Sequence, residues 1–184
     1  MRSSTKITRK YQFLYMLSRF GIAIAVSTLV QLLITANSYG STWFRILSGI
    51  IFSLYFAFMI FDAAATLSKL DNKDYTPLKY DIKWSVMWGV MISAISVIAI
   101  VLFIINWHFG DPVSVVLNII FYIIESPYLA FIMMTPKSIP AFIVILSIVL
   151  PVLTSVLGYI CGKREFVISD KIYSLVFEKR KKDI

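Results

Sequence analysis

The fold class expected from this sequence is an all-α membrane bundle of four transmembrane helices plus a re-entrant or interfacial hairpin; five transmembrane helices are the alternative. Three observations predict it. Of the 184 residues, 59% are hydrophobic and the mean hydropathy is +0.81. The apolar residues stand in long blocks rather than in the periodic patches of a soluble domain, and a bilayer crossing needs about 20 of them in a row. The 18 Lys and Arg outnumber the 10 Asp and Glu and sit between and beyond the blocks. Cytoplasmic loops and anionic lipid head groups account for charges so placed, whereas a nucleic-acid footprint would gather them on one folded surface. The whole chain, 1–184, is read as one membrane domain. Its longest polar stretch, SKLDNKDYTPLKYDIK, is too short to fold alone.

The chain opens on a basic lead-in carrying Arg2, Lys6, Arg9, Lys10 and Arg19, with Tyr11, Leu14 and Leu17 at helical spacing. This predicts a helix on the membrane surface. The first span follows at 20–36. It is short, but Arg19 can snorkel and let the helix begin earlier. The sequence after it, LLITAN, lacks the small residue of a cleavage site, so the block is expected to stay as an anchor. NSYGSTWFR is a turn with Tyr39 and Trp43 as interface anchors. The second span is expected at 44–67. The polar loop with Pro77 follows, and Trp84 and Trp88 open a third span at 84–107. HFGDP is a tight turn. The segment 113–134 comes next, then the turn TPKSIP, the last span at 141–161, and a basic tail over 163–184.

Whether 113–134 crosses decides the topology. With five spans the Lys and Arg divide almost evenly between the two sides. With four, one side holds the five of the N-terminus, four from the 68–84 loop and seven from the tail, and the other only Arg45 and Lys137. The second division is the asymmetry that the positive-inside rule describes, and it puts both termini in the cytoplasm. Local chemistry agrees. In a spanning helix Glu125 would lie about 18 Å deep, at about 1.5 Å per residue. An ionised carboxylate there costs at least about 3 kcal/mol unless paired or protonated. Pro127 removes a backbone donor at the same depth. A bent segment keeps that break near water or buried in protein.

Glu125 is therefore the leading candidate functional residue. The plain alternative is a carboxylate capped by a neighbour at the membrane edge. Asp62, late in the second span, and Arg19, at the same level of the first, are expected to pair near the cytoplasmic boundary, as a structural pair or as the inner mouth of a pathway. His108 and Asp111 are too few for a metal site, and Cys161 reads as a small packing residue. Gly49, Ser53 and Ala57, then Gly89, Ser93 and Ser96, and the pair Gly158 and Gly162, form small-residue faces. Such faces let helices approach closely, within the monomer or at a homodimer seam. Pro151 is expected to kink the last span, with Thr154 or Ser155 satisfying the freed carbonyl. Ile168, Ile172, Leu175 and Val176 share one side of the tail, which predicts an amphipathic helix on anionic lipid.

Phosphate-binding glycine loops, a zinc-protease motif and a nucleophile elbow are all missing from the sequence. No cofactor is expected. The functional expectation is a non-enzymatic membrane protein, an accessory or interaction subunit that associates with a protein partner and the anionic bilayer. The alternative is a small transporter or channel-forming protein using Glu125, although no polar cluster at mid-depth is visible in the sequence. The Ile-rich, Lys-favouring composition suggests an AT-rich bacterial genome and so a bacterial plasma membrane.

Overall fold

A computed structural model describes residues 9–37, 42–71, 80–109, 113–134, 139–170 and 172–173. It is an all-α membrane bundle. Four helices are long and apolar enough to cross a bilayer: α1 (Arg9–Asn37), α2 (Thr42–Asp71), α3 (Ile82–Phe109) and α6 (Ala141–Lys163). Between α3 and α6 lie α4 (Val113–Ile124), a 3-10 turn (Ser126–Tyr128) and α5 (Leu129–Ile132). The two arms of that segment meet at 76°.

Side-chain pairings give the helix directions. Ser85 meets Ser155, and Ser93 donates to the Ile148 carbonyl. As the α3 number rises the α6 number falls, so α6 is antiparallel to α3. Against α2 the order is reversed. A Cβ on Gly158 would meet Phe61 and Ala64, and one on Gly162 would meet Ala65 and Ser68. Hence α6 runs parallel to α2. It begins at the end of the bundle where α3 stops, so 113–134 enters and returns at that same end. The expected hairpin is what the chain forms, and the five-span alternative does not fit these directions.

Pro127 explains the bend. Its ring nitrogen has no hydrogen to donate to the Ile123 carbonyl and its ring crowds that carbonyl. The α-helix therefore ends at Ile124. The Glu125 amide still bonds the Phe121 carbonyl at 2.8 Å, and the Tyr128 amide closes the turn on the Glu125 carbonyl at 2.8 Å. Gly49 and Ser53 of α2 receive the returning arm: the Phe131 ring lies 2.7 Å from where a Gly49 Cβ would be, and Ser53 Oγ donates to the Pro127 carbonyl at 3.4 Å.

Several boundaries move. The basic lead-in is not a separate surface helix from Arg9 onward; it is continuous with the first span. Helices α2 and α3 also extend past 44–67 and 84–107. At about 1.5 Å per residue, α2 alone reaches about 45 Å, so its last turns carry Lys69 and Asp71 beyond the apolar slab. Both interfaces of α6, with α2 and with α3, use glycine for close approach. A Cβ on Gly89 would come within 2.6 Å of the Val152 Cα, and the Gly158 and Gly162 faces are filled by α2 within the same chain.

The start of the tail turns back on the bundle. After Lys163 the chain reverses through Glu165, whose φ is 57°. The Phe166 amide bonds the Cys161 carbonyl and the Glu165 amide bonds that of Gly162, the paired pattern of a Schellman helix end. This turn carries Val167 back into the bundle, where it is 2% exposed. The helical turn over 168–170 is thereby fastened to α2 by Lys69–Asp170 at 2.7 Å. Ile172 and Tyr173 are exposed; Leu175 and Val176 lie outside the described residues. The start of the tail thus packs on the end of the bundle through Val167.

Candidate functional site

Glu125 is fully buried at the bend, with no exposed surface. Four elements converge on it and on the turn that follows. From α6, Ser147 Oγ donates to Glu125 Oε2 at 2.9 Å. From α3, Ser96 also places its hydroxyl toward this carboxyl. Ser126 Oγ reaches across to the Ile24 carbonyl of α1 at 3.2 Å, and Ser53 of α2 holds the Pro127 carbonyl. Tyr128 stacks edge-on against Phe56 of α2 at 6.0 Å, within electrostatic range of Glu125.

Depth follows from these contacts. Ile24 is near the middle of α1, about 20 Å by helix rise from the far end of that helix. Glu125 therefore sits near mid-depth, enclosed by protein on every side. An outer-surface position is excluded. So is the expectation that no polar cluster forms at mid-depth: Ser96, Tyr128 and Ser147 are each 3% exposed or less and face one carboxylate, while Ser53 and Ser126 hold the turn beside it.

Pro151 contributes from one turn away. It lacks the amide hydrogen that would bond the Ser147 carbonyl, so the backbone is loosened at the residue whose hydroxyl holds Glu125. Thr154 does not repair this, since its Oγ1 donates to the Leu150 and Pro151 carbonyls. Ser155 does not either, because it donates to Ser85 of α3. Ser93 of α3 donates to the next carbonyl, that of Ile148, at 2.7 Å, and so ties α3 to α6 beside the break without reaching the Ser147 carbonyl itself.

Two polar atoms in the cluster have no hydrogen-bond partner among the described residues: Glu125 Oε1 and Tyr128 Oη. Ser27 Oγ, one turn beyond Ile24, is likewise buried without one. Unmade hydrogen bonds of this kind cost about 1–3 kcal/mol each, and a buried polar group usually has a partner. A carboxyl with one oxygen held and the other open can exchange a proton. Together with hydroxyls it can also ligate a dehydrated cation. Among the described residues no group of three His, Cys, Asp or Glu side chains could hold a metal ion.

Asp62 and Arg19 do not meet. Asp62 is 2% exposed and accepts the Ser169 amide at 3.2 Å, so it anchors the returning tail. Arg19 turns along its own helix, donating to Tyr15 Oη at 3.0 Å. The expected pair assumed that two charges at one depth face each other; the tail took the Asp62 partner position instead. Asp71, also buried, pairs with Lys163 at 2.8 Å. The His108 side chain and Asp111 lie outside the described residues.

Ser147 and Tyr128 were not singled out from the sequence. A signal was present: Ser147 is a lone hydroxyl in VILSIVLP, four residues before a proline inside an apolar span. Such a serine faces the carbonyl that the proline releases, and so marks a helix face that protein rather than lipid must cover. No protein-family model, no curated protein and no solved structure matches this chain.

Proposed function

We propose that this is a small, non-enzymatic transport protein of a bacterial cytoplasmic membrane, in which Glu125 takes up and releases a proton or small cation. The observation that carries the reading is the fully buried Glu125 with one open oxygen, held at a broken helix among hydroxyls from the surrounding spans. Intramembrane carboxylates are expensive and concentrate on ion and proton pathways, and broken helices near mid-depth are where transporters bind. Both termini face the cytoplasm in this proposal. Support comes from the basic residues Arg9, Lys10, Lys69, Lys83, Lys163 and Arg164, all at the end of the bundle where α1 starts and α6 stops.

The occlusion of Glu125 favours a second reading. Glu125 opens to neither end of the bundle in this conformation, and a carboxyl held by Ser147 also pins the hairpin in place. In that case the protein is an accessory subunit that works through a protein partner. Reconstitution separates the two. Protein in sealed vesicles is given a pH or monovalent-cation gradient, with dyes reporting each. The transport reading expects flux above empty vesicles, and background flux for Glu125→Gln with unchanged helicity and elution. A silent parent that leaves the native membrane with a stoichiometric partner would replace it with the accessory reading.

A further inference from the structure

We infer that the groove between α1 and α3 at the basic end is a site for one acyl chain of an anionic phospholipid, with Arg9 as the cation for its phosphate. This inference does not depend on what Glu125 does. The groove has a volume of about 210 Å³ and is lined by Phe13, Met16 and Leu17 of α1 and by Trp88, Ile92 and Ala94 of α3. Its floor is protein core, with Met16 at 2% exposure. Its rim is open to lipid along Leu17, Met91 and Ala94. Aromatic rings connect it to charge. Phe13 lies 5.2 Å from Trp88, Trp88 lies 6.3 Å from Trp84, and the Arg9 guanidinium sits 4.0 Å over the Trp84 ring.

Arg9 is a cation placed without an acid. It donates to Gln12 Oε1 at 3.0 Å and has no carboxylate within ion-pair distance among the described residues. Asp170, Asp71 and Asp62 at this end are taken by Lys69, Lys163 and the Ser169 amide, and neither Asp81 nor Glu165 forms an ion pair with Arg9. A guanidinium held over an indole keeps donors beyond the one on Gln12 for a second partner, and phosphate matches its planar fork. By helix rise the Phe13 and Leu17 levels lie about 6 and 12 Å deeper than Arg9. Charge first and apolar groove next is the order that a lipid lying along the bundle imposes. The space admits a stretch of chain but not a helix with side chains.

The test uses the full-length protein in nanodiscs holding equal amounts of phosphatidylglycerol and phosphatidylcholine with the same acyl chains. Native mass spectrometry then reads which lipid stays bound after release. One phosphatidylglycerol per protein is expected, favoured by about fivefold, the effect of one basic side chain near an anionic head group. Arg9→Gln brings the two lipids to parity. Ala94→Phe, from an exposed position, fills the groove and removes both. Should Ala94→Phe fail to fold, Leu17→Trp introduces similar bulk from α1. Equal retention of both lipids by the parent, or undiminished phosphatidylglycerol on a folded groove-filled variant, overturns the inference.

Discussion

The hydrogen bond from Ser147 to Glu125 joins the last span to the hairpin, and its strength can be isolated. Ser147→Ala removes a hydroxyl that is fully buried and 2.9 Å from Glu125 Oε2. Glu125→Met supplies a background of similar volume with no acceptor. Interhelical hydrogen bonds in membrane proteins are worth on average about 0.6 and at most about 1.7 kcal/mol. A hydrogen bond to an ionised group reaches about 1.5–3 kcal/mol. Ser147→Ala should therefore cost between about 0.6 and 3 kcal/mol in the parent. In the Glu125→Met background the hydroxyl can turn back to its own helix, as Thr154 does, and its loss should cost less than about 0.5 kcal/mol. The coupling also reports charge, since a value above about 1.7 kcal/mol exceeds the range of neutral pairs. Reversible unfolding in mixed micelles, followed by the fluorescence of the four Trp, measures all four corners of the cycle. Equal costs in both backgrounds, within about 0.3 kcal/mol, would refute the geometry of the site.

Glycine substitutions should divide by position: Gly158→Leu meets the α2 backbone and should cost about 3 kcal/mol or more in the same unfolding assay, while Gly21→Ala, with nothing within 4 Å, should gain up to about 1 kcal/mol. Asp62→Ala removes the acceptor for the Ser169 amide and should release the tail, seen as faster protease cleavage within 165–173 at unchanged bundle stability; unchanged cleavage would dismiss Asp62 as its anchor. Burial pushes the Tyr80 phenol from 10.0 up to about 12, so the stabilising protonated phenol is fully present below pH 10 and lost as pH rises toward 12, a slope that Tyr80→Phe should remove from the unfolding profile. A reporter active only in the cytoplasm, fused after Ile184, should give signal; silence from a stable fusion would reverse the proposed orientation.

The membrane class, four of the span positions and the break at Glu125–Pro127 were legible because they depend on local sums. Hydropathy over about 20 residues decides insertion regardless of which helix is next door, and proline interrupts a helix through its own ring. Charge counting anticipated a hairpin that returns to its starting side, and the antiparallel register of α3 on α6 bears that out. The small-residue faces were also readable, since glycine and serine spaced along one helix side mark close approach whatever the partner.

Partners were another matter, because they depend on residues far apart in the chain. Nothing near Glu125 in sequence indicates Ser147, 22 residues on, and nothing near Asp62 indicates Ser169, 107 residues on. Asp62 and Arg19 stood at one depth, yet depth does not determine azimuth: each helix's rotation is set by packing on its neighbours, and that rotation turned the two charges apart. The start of the tail followed the same rule: the turn at Glu165 returns Val167 to the bundle, a contact set by packing and not by the residues beside it. By itself, then, the sequence determined that this chain enters a membrane, where it crosses and where it breaks. Only the tertiary structure decided that the break lies buried at mid-depth among hydroxyls from several helices, because that gathering is a property of helix packing and not of any one segment.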